Sequence, residues 1–160
     1  MTFRDASDED HALVASLLGR APAGRFAVVV RRADGRPVVI ENEPHLRDGT
    51  PMPTLYWLVD DELRVAVSRL EADGGVRRLE SLVDEHALAG AHDRHARRRD
   101  GAIVRAGAVA PTGGVGGTRH GVKCLHAHLA NYLATGDDPV GELVALEVAA
   151  PATVVVDPRG

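Results

Sequence analysis

The sequence has few aromatic residues, a single cysteine and no excess of positive charge. Aromatic side chains make up 3% of the 160 residues, so a core must be built mainly from Leu, Val and Ala. One cysteine cannot form a disulfide within the chain, which is typical of a protein in a reducing compartment. The net charge of −4 disfavours a dedicated nucleic-acid-binding protein, because such proteins are usually basic.

The chain also lacks any run of about 18 apolar residues, the length that a helix needs to cross a membrane. The first ten residues are acidic and contain no apolar stretch of the kind found in secretory signals. These absences predict a cytoplasmic protein with no membrane span and no nucleic-acid partner.

Several short segments have the composition of β-strands. Residues 26–31 and 37–41 are apolar and β-branched, and the Asp-Gly pair between them supplies the backbone conformation that a tight hairpin turn requires. Residues 54–59 are predicted to form a third strand, and residues 153–156 could add a short fourth one.

Helical patterns follow these strands in blocks rather than alternating with them, which favours an α+β fold over a parallel sheet. We expect a small antiparallel sheet of about three strands packed with about five helices in a single domain, residues 1–160. Residues 1–6 are predicted to be loose, and residues 150–160 form a tail. The predicted helices cover residues 8–18, 60–73, 76–99, 118–134 and 139–149.

A glycine-rich loop directly precedes the fourth predicted helix. Glycines free the backbone to turn its amides toward one point, and a helix N-terminus with nearby cations adds positive potential. The loop is neither a Walker A sequence nor the Gly-x-Gly-x-x-Gly of a dinucleotide site, and the alternative is a flexible connector. The predicted residues for binding a phosphate or carboxylate are Gly113, Gly114, Gly116, Gly117, Arg119 and Lys123.

His120, Cys124 and His128 are spaced by four residues, which places them on one side of the predicted helix. They are the catalytic candidates, for proton transfer or as a cysteine nucleophile, because a thiolate near cations and a helix N-terminus has a lowered pKa. Cys124 and His128 could also bind zinc. Zinc is not favoured, since one helix cannot supply a complete tetrahedral site and the chain has no second cysteine. The alternative is an inert buried cysteine among surface histidines.

The remaining histidines and a cluster of arginines have simpler interpretations. His126 lies on the apolar face of the predicted helix and is expected to be a hydrogen-bonded core residue. His92 and His95 are one turn apart and could bind a metal together, but the polar sequence around them predicts solvent exposure. The arginines of residues 94–99 are expected to complement the dipole at a helix C-terminus rather than to contact nucleic acid.

Three motifs resemble a known family. They are Gly-Gly-Val-Gly-Gly at residues 113–117, Val-Lys-Cys-Leu-His-Ala-His at 122–128 and Gly-Asp-Asp-Pro-Val-Gly at 136–141. Together with residues 48–58 and 66–71 they resemble the uncharacterised bacterial domain-of-unknown-function family 501, which is most familiar from high-GC Gram-positive bacteria. The resemblance covers about residues 28–144.

The resemblance implies a short set of functional positions and no established activity. The family pattern falls on Lys123, Cys124, His126 and His128. The genes of this family tend to lie beside those for enolase and a septum-formation initiator, which implies a link to cell division or the envelope.

Three functions are therefore open from the sequence. The first is binding of a small phosphate- or carboxylate-bearing ligand at the glycine-rich loop, with or without catalysis. The second is a non-catalytic interaction module with a division or envelope partner. The third is a zinc-binding protein that uses Cys and His residues of the helix predicted over residues 118–134.

Overall fold

The computed structural model describes residues 3–159 of the chain. The strands are β1 (Phe26–Arg32), β2 (Pro37–Asn42), β3 (Tyr56–Leu58) and β4 (Thr153–Val155). The helices are α1 (Asp8–Leu18), α2 (Asp61–Ala72), α3 (Gly75–Leu82), α4 (Glu85–Gly101), α5 (Leu125–Thr135) and α6 (Pro139–Glu147). The architecture is α+β, as predicted, and no helix in this part of the chain is long and apolar enough to cross a membrane.

The four strands form one antiparallel sheet in the order β3-β2-β1-β4. The predicted hairpin is confirmed, with Gly35 at φ 92° in its turn. The tail strand is also confirmed, and it pairs with β1 so that Val155 lies opposite Val30. The sheet therefore has one strand more than the three that were expected.

Residues 3–6 are not loose, contrary to the prediction for the N-terminus. Phe3 is buried, and the backbone amide of Ala6 donates to the carbonyl of Phe26 at 2.8 Å. Residues 1–2 of that prediction lie outside the described residues. The N-terminal segment is ordered because Phe26, the first residue of β1, has a carbonyl oxygen free to accept the hydrogen bond from Ala6.

The helix predicted over residues 76–99 is two helices, which raises the expected five to six. Val83 is extended, and the side chain of Asp84 accepts a hydrogen bond from the Ala87 amide at 2.9 Å. Such an N-cap satisfies an amide that has no partner within its own helix, so a new helix starts here. The apolar periodicity runs across this break and conceals it.

The helix predicted to begin at residue 118 begins at Leu125. Gly121 has φ 64°, and Cys124 is extended at φ −152°, so the seven residues before the helix form an irregular loop. His120 therefore does not share a helix face with Cys124 and His128, and the predicted stripe of three side chains is wrong. Cys124 instead occupies the N-cap position of α5.

The two faces of the sheet are covered by different helices. Leu125 and Leu129 of α5 are fully buried against Val39 and Leu58 of the sheet, in a core that α2–α6 complete. On the opposite face Val14 of α1 packs into a smaller cluster of apolar side chains. The sheet is thus buried between α1 and the other helices, and α5 lies closest to it.

A buried arginine connects α4 to two irregular segments. The guanidinium of Arg99 has no solvent exposure and donates to the carbonyls of Pro53, Pro111, Thr112 and Gly113 at 2.8–3.3 Å. It also contacts the carboxylate of Asp100. The arginine cluster was expected to complement the helix dipole. Arg99 has a further role, because its guanidinium is buried and binds the carbonyl oxygens of two irregular segments.

Replacing Arg99 with Lys is expected to lower the free energy of unfolding by about 3 kcal/mol or more. An ammonium keeps the charge but cannot present a planar fork of donors to four carbonyls. The matched control is Arg97→Lys on the exposed side of the same helix, which should leave stability nearly unchanged. Urea denaturation of the three proteins measures the difference, and equal midpoints for both variants would contradict this role of Arg99.

A second buried ion pair joins the sheet to α2. The Asp60 carboxylate is 3% exposed, accepts two hydrogen bonds from Arg32 at 2.5 and 2.9 Å, and caps α2 through the Leu63 amide at 2.9 Å. Burial raises the pKa of Asp60, but the bonds from Arg32 and Leu63 outweigh this effect and leave the pKa below its ordinary value of 3.8.

Asp60→Asn should lower the free energy of unfolding by about 3 kcal/mol at pH 7, because Asn can still cap the helix but leaves Arg32 without its counter-ion. Since the pKa of Asp60 is lower in the folded protein, its stabilisation is complete above its unfolded pKa. It is lost as the pH falls below 3.8 through the folded pKa. The difference between wild type and variant should therefore shrink in acid.

The control for this prediction is Asp84→Asn, a helix N-cap without an ion-pair partner among residues 3–159. Asn caps a helix as well as Asp does, so this variant should be nearly neutral. Denaturant melts from pH 7 to pH 3 provide the measurement, and a difference for Asp60→Asn that does not change with pH would disprove the ion-pair account.

Candidate functional site

A cleft of about 1010 Å³ lies between α2, β3 and the N-terminal end of α5. One face of α2 forms a wall, because residues 61, 64, 65, 68, 69 and 72 recur at helical spacing. The remaining lining residues are Leu18, Arg20, Thr54, Tyr56, Trp57, Leu58, Gly116, Lys123, Cys124, His126 and Ala127. We call this surface the α2–α5 cleft.

The charges of the α2–α5 cleft are unbalanced. Four cationic side chains line it, Arg20, Arg64, Arg69 and Lys123, against the single carboxylate of Asp61. None of the four cations makes an ion pair within residues 3–159. The cleft therefore has a positive potential above a floor of apolar and aromatic side chains, where Arg20 also lies 5.8 Å from the centre of the Trp57 ring.

Three reactive side chains meet at one end of this cleft. Nδ1 of His126 lies 3.8 Å from Sγ of Cys124 and 2.5 Å from Oε1 of Glu71. All three potential ligand atoms lie within 4.8 Å of one another. We call Glu71, Cys124 and His126 the Cys–His–Glu cluster. Cys124 reaches it from the N-cap of α5, His126 from the first turn of α5, and Glu71 from the last turn of α2.

The other ring nitrogen of His126 is directed at α2. Nε2 lies 3.3 Å from the carbonyl oxygen of Arg64 and 3.2 Å from Oγ of Ser68. A carbonyl only accepts hydrogen bonds, so Nε2 carries a proton. This contact fixes the ring orientation and leaves Nδ1 for the thiol and carboxylate.

The cluster changes the protonation of its members. Burial raises the pKa of the Cys124 thiol, but interactions with His126 and with the Ala127 amide outweigh it and leave the pKa below the ordinary 9.0. The hydrogen bond to Cys124 is the main cause that raises the pKa of His126, against the opposing effect of burial. More of the sulfur is thiolate as a result, which is the form that attacks electrophiles and binds metals.

The glycine-rich loop uses several of its amides internally. The Gly114 amide donates to the Thr118 carbonyl at 2.8 Å, and the Gly117 amide donates to the Gly114 carbonyl at 3.0 Å. The Val115 amide donates to Nδ1 of His92 at 3.0 Å. Anion binding at this loop stays a prediction, and in this conformation these three amides already have acceptors. Gly116 is the glycine of the loop that lines the α2–α5 cleft.

The predicted cations lie on two different surfaces. Lys123 lines the α2–α5 cleft, whereas Arg119 and His120 line a separate depression of about 320 Å³. That depression contains the carboxylates of Glu80 and Glu85, which offset the cations. The structure thus brings Lys123, Cys124 and Gly116 together but separates them from Arg119 and His120.

His128, a predicted catalytic and metal candidate, is fully buried and does not line the cleft that contains Cys124. Its Nδ1 contacts the carboxylate of Asp138 at 2.9 Å, and Asn131 donates to the same carboxylate at 2.9 Å. Asp138 also caps α6 through the Gly141 amide. His128 therefore belongs to a buried network that joins α5 to α6.

His92 and His95 are buried rather than solvated, contrary to the sequence interpretation. His92 accepts from Val115 and donates from Nε2 to the Gly121 carbonyl at 2.8 Å, so it is neutral. Burial, with the nearby charge of Arg99, lowers the pKa of His95 to about 4, and its Nε2 accepts from the Leu55 amide. Both histidines hold irregular loops in place.

Sequence reasoning missed two members of the cluster. His126 was interpreted as a core residue, although the family pattern includes its position, and its side chain is in fact 27% exposed. Glu71 lies 53 residues before Cys124 and has no local motif around it. Only the packing of α2 against α5 brings it to the thiol.

The close approach of Gly114 to α4 gives a testable consequence. A Cβ at Gly114 would lie 2.6 Å from Cβ of His92 and 2.8 Å from the Thr118 carbonyl oxygen. Because overpacking typically costs about 1–3 kcal/mol, Gly114→Ala should destabilise the protein by about 2 kcal/mol. Gly101→Ala, whose Cβ would meet nothing within 4 Å, is the control and should not destabilise it. Thermal unfolding compares the two, and an unchanged melting temperature for Gly114→Ala would contradict this packing.

The comparisons with known proteins identify a family without an assigned activity. The family model described as Protein of unknown function (DUF501) matches residues 28–146, well over half of the chain and close to the expected region. No curated protein and no solved structure matches the sequence significantly. The predicted resemblance is thereby confirmed, and the chain belongs to the DUF501 family.

Proposed function

We propose that the protein binds a small molecule that carries a phosphate or carboxylate group and an apolar part in the α2–α5 cleft. The observation that carries this proposal is the excess of cations over carboxylates on a concave, partly apolar surface. Gly116 and Lys123, two of the residues predicted to bind an anion, line this cleft.

The charge distribution supports an anionic ligand. The guanidinium of Arg69 and the ammonium of Lys123 have no ion-pair partner among residues 3–159, so their charges are available to a ligand. Hydrogen bonds between charged groups are roughly twice as strong as neutral ones. Two carboxylates oppose binding: Asp61 in the first turn of α2, and Glu71, which contacts His126 at one end of the cleft.

The floor of the cleft supports a ligand with an apolar part. Trp57 and Val65 leave apolar surface accessible beside the cations, and Tyr56 and Leu58 lie behind them. Burial of a ring against such a surface contributes about 25 cal/mol per Å². A bare phosphate ion would use the cations but not this surface, so an aryl or alkyl phosphate should bind more tightly.

The Cys–His–Glu cluster places a thiol and an imidazole beside the bound anion. These groups can transfer protons, attack an electrophile or bind a metal. The chain therefore contains the side chains that an enzyme needs at this site, and the reaction depends on the ligand.

A thermal-shift series tests the anion site. Phenyl phosphate at about 100 times its dissociation constant should add about 2.7 kcal/mol of stability. For a chain of this length, such a gain raises the melting temperature by roughly 5–11 °C. Inorganic phosphate should give a smaller shift at equal concentration, and phenol should give none.

Matched variants assign the shift to the cleft. Arg69→Ala and Lys123→Ala should each weaken binding of phenyl phosphate about tenfold, which corresponds to about 1.4 kcal/mol. Arg77→Ala removes an exposed cation outside the cleft and should change nothing. If no phosphate or carboxylate shifts the melting temperature, or if Arg77→Ala weakens binding as much as Arg69→Ala, the proposal is wrong.

An interaction module linked to division or the envelope is the second candidate, and one observation favours it. Val154 and Val155 of β4, an edge strand of the sheet, and Val156 directly after it are 40–58% exposed. Exposed apolar edge strands can pair with a partner chain. The cleft has both shape and charge to define its ligand, whereas the β4 edge has neither, so the ligand-binding proposal is preferred.

A further inference from the structure

We propose that the Cys–His–Glu cluster binds one zinc ion through Sγ of Cys124, Nδ1 of His126 and a carboxylate oxygen of Glu71, with the fourth position open to the α2–α5 cleft. The inference concerns a metal site rather than the anionic ligand. It does not depend on the proposed function, because the three protein ligands can bind zinc whether or not an organic anion occupies the cleft.

The spacing of the sulfur and nitrogen atoms is close to that around a zinc ion, and the carboxylate needs a small movement. Bond lengths of about 2.0–2.3 Å and tetrahedral angles place neighbouring ligand atoms about 3.3–3.6 Å apart. The 3.8 Å between Sγ of Cys124 and Nδ1 of His126 is close to this spacing. Oε1 of Glu71, at 2.5 Å from Nδ1, has to move outward by about 1 Å. Its side chain is 26% exposed, so it has room to do so.

The contacts of His126 with α2 are those of a metal ligand. A zinc-bound histidine usually donates its second ring N–H to a carbonyl or carboxylate, which fixes the ring and its tautomer. Nε2 of His126 has this contact with the Arg64 carbonyl and a further one with Ser68. Nδ1, which faces Cys124 and Glu71, would bind the metal after losing the proton that it shares with the Glu71 carboxylate.

The donor set selects zinc over the common hard cations. Thiolate and imidazole suit zinc, whereas magnesium and calcium prefer sites made only of oxygen ligands. One thiolate, one imidazole and one carboxylate provide three protein ligands, and sites with three protein ligands and an open position are typical of catalytic zinc. A structural role would require a fourth ligand, and residues 3–159 bring no other His, Cys, Asp or Glu into this group.

The site differs from the zinc pair that the sequence suggested. His128 is replaced by His126, because the helix begins at Leu125 and directs His128 into the interior. Glu71 is supplied by α2. Cys124 and His126 line the cleft, so a ligand oxygen or a water molecule in the cleft would complete the coordination.

Zinc titration of the reduced, full-length protein tests the inference, with zinc alone as the probe and a chromophoric chelator as competitor. We expect about one zinc per chain by elemental analysis of the purified protein, and saturable one-to-one binding after metal removal. Removing a partner that only orients a zinc ligand typically weakens binding 10–100-fold. Cys124→Ser and His126→Ala remove ligands and should therefore weaken zinc binding at least about 100-fold. Glu71→Gln should also weaken zinc binding measurably.

Two control variants remove residues of the same types as the proposed ligands, one histidine and one glutamate, at positions outside the cluster. His120→Ala and Glu142→Gln change exposed side chains and should bind zinc like the wild type. Arg69→Ala and Lys123→Ala should also retain zinc. Because the titration contains no organic anion, a failure of zinc binding and a failure of anion binding are separate results.

Protection of the thiol gives a second measurement on the wild-type protein, which does not depend on the folding of any variant. Zinc should protect Cys124 from alkylation by iodoacetamide in proportion to occupancy, and a chelator should restore the reaction. Under about 0.2 zinc per chain with no saturable binding would overturn the inference. Equal affinity in Cys124→Ser and wild type, or alkylation that zinc does not slow, would overturn it as well.

Discussion

A guanidinium without solvent contact holds together the irregular half of this protein. Arg99 lies in the last turn of α4 and is solvated by carbonyls of residues 53 and 111–113, which belong to two segments without regular structure. Such segments have no ladder of their own to satisfy their backbone oxygens, so the buried cation and these oxygens satisfy each other. His92 and His95, two turns and one turn earlier, accept hydrogen bonds from the amides of Val115 and Leu55, respectively, in the same region. The inward face of α4 is thus a row of polar side chains that positions one wall of the cleft.

The polar side chains of the chain divide into two groups with different chemistry. The buried group has partners within the protein, as in the contacts of His128 and Asn131 with Asp138, and it joins helices and loops to one another. The second group faces the α2–α5 cleft and leaves its reactive atoms toward solvent. Cys124 and His126 belong to it because α5 begins between them, at Leu125, so the thiol lies at a helix N-terminus and the imidazole in the first turn. A shift of this boundary by one turn would direct both side chains elsewhere.

Local patterns were sufficient for the sheet and insufficient for the start of α5. The hairpin of β1 and β2 follows from two β-branched runs around an Asp-Gly turn, and both the composition and the turn act within a few residues. The segment before α5 has a helix-compatible spacing of His120, Cys124 and His128. However, Gly121 adopts φ 64°, and its carbonyl accepts a hydrogen bond from Nε2 of His92. That contact comes from α4, 29 residues away in the chain. No local pattern reports a partner at that distance.

The amino-acid order alone was enough for the α+β class, the family, the hairpin and the choice of residues 112–141 as the chemically richest stretch. Each of these depends on composition or on neighbours along the chain. The cleft and its reactive cluster depend on how α2 packs against α5, which sets Glu71, Arg64 and Ser68 beside His126. The burial of Arg99 and of three histidines likewise results from packing. A side chain's pKa, exposure and partners are properties of its surroundings in space, and these surroundings exist only once distant segments have met.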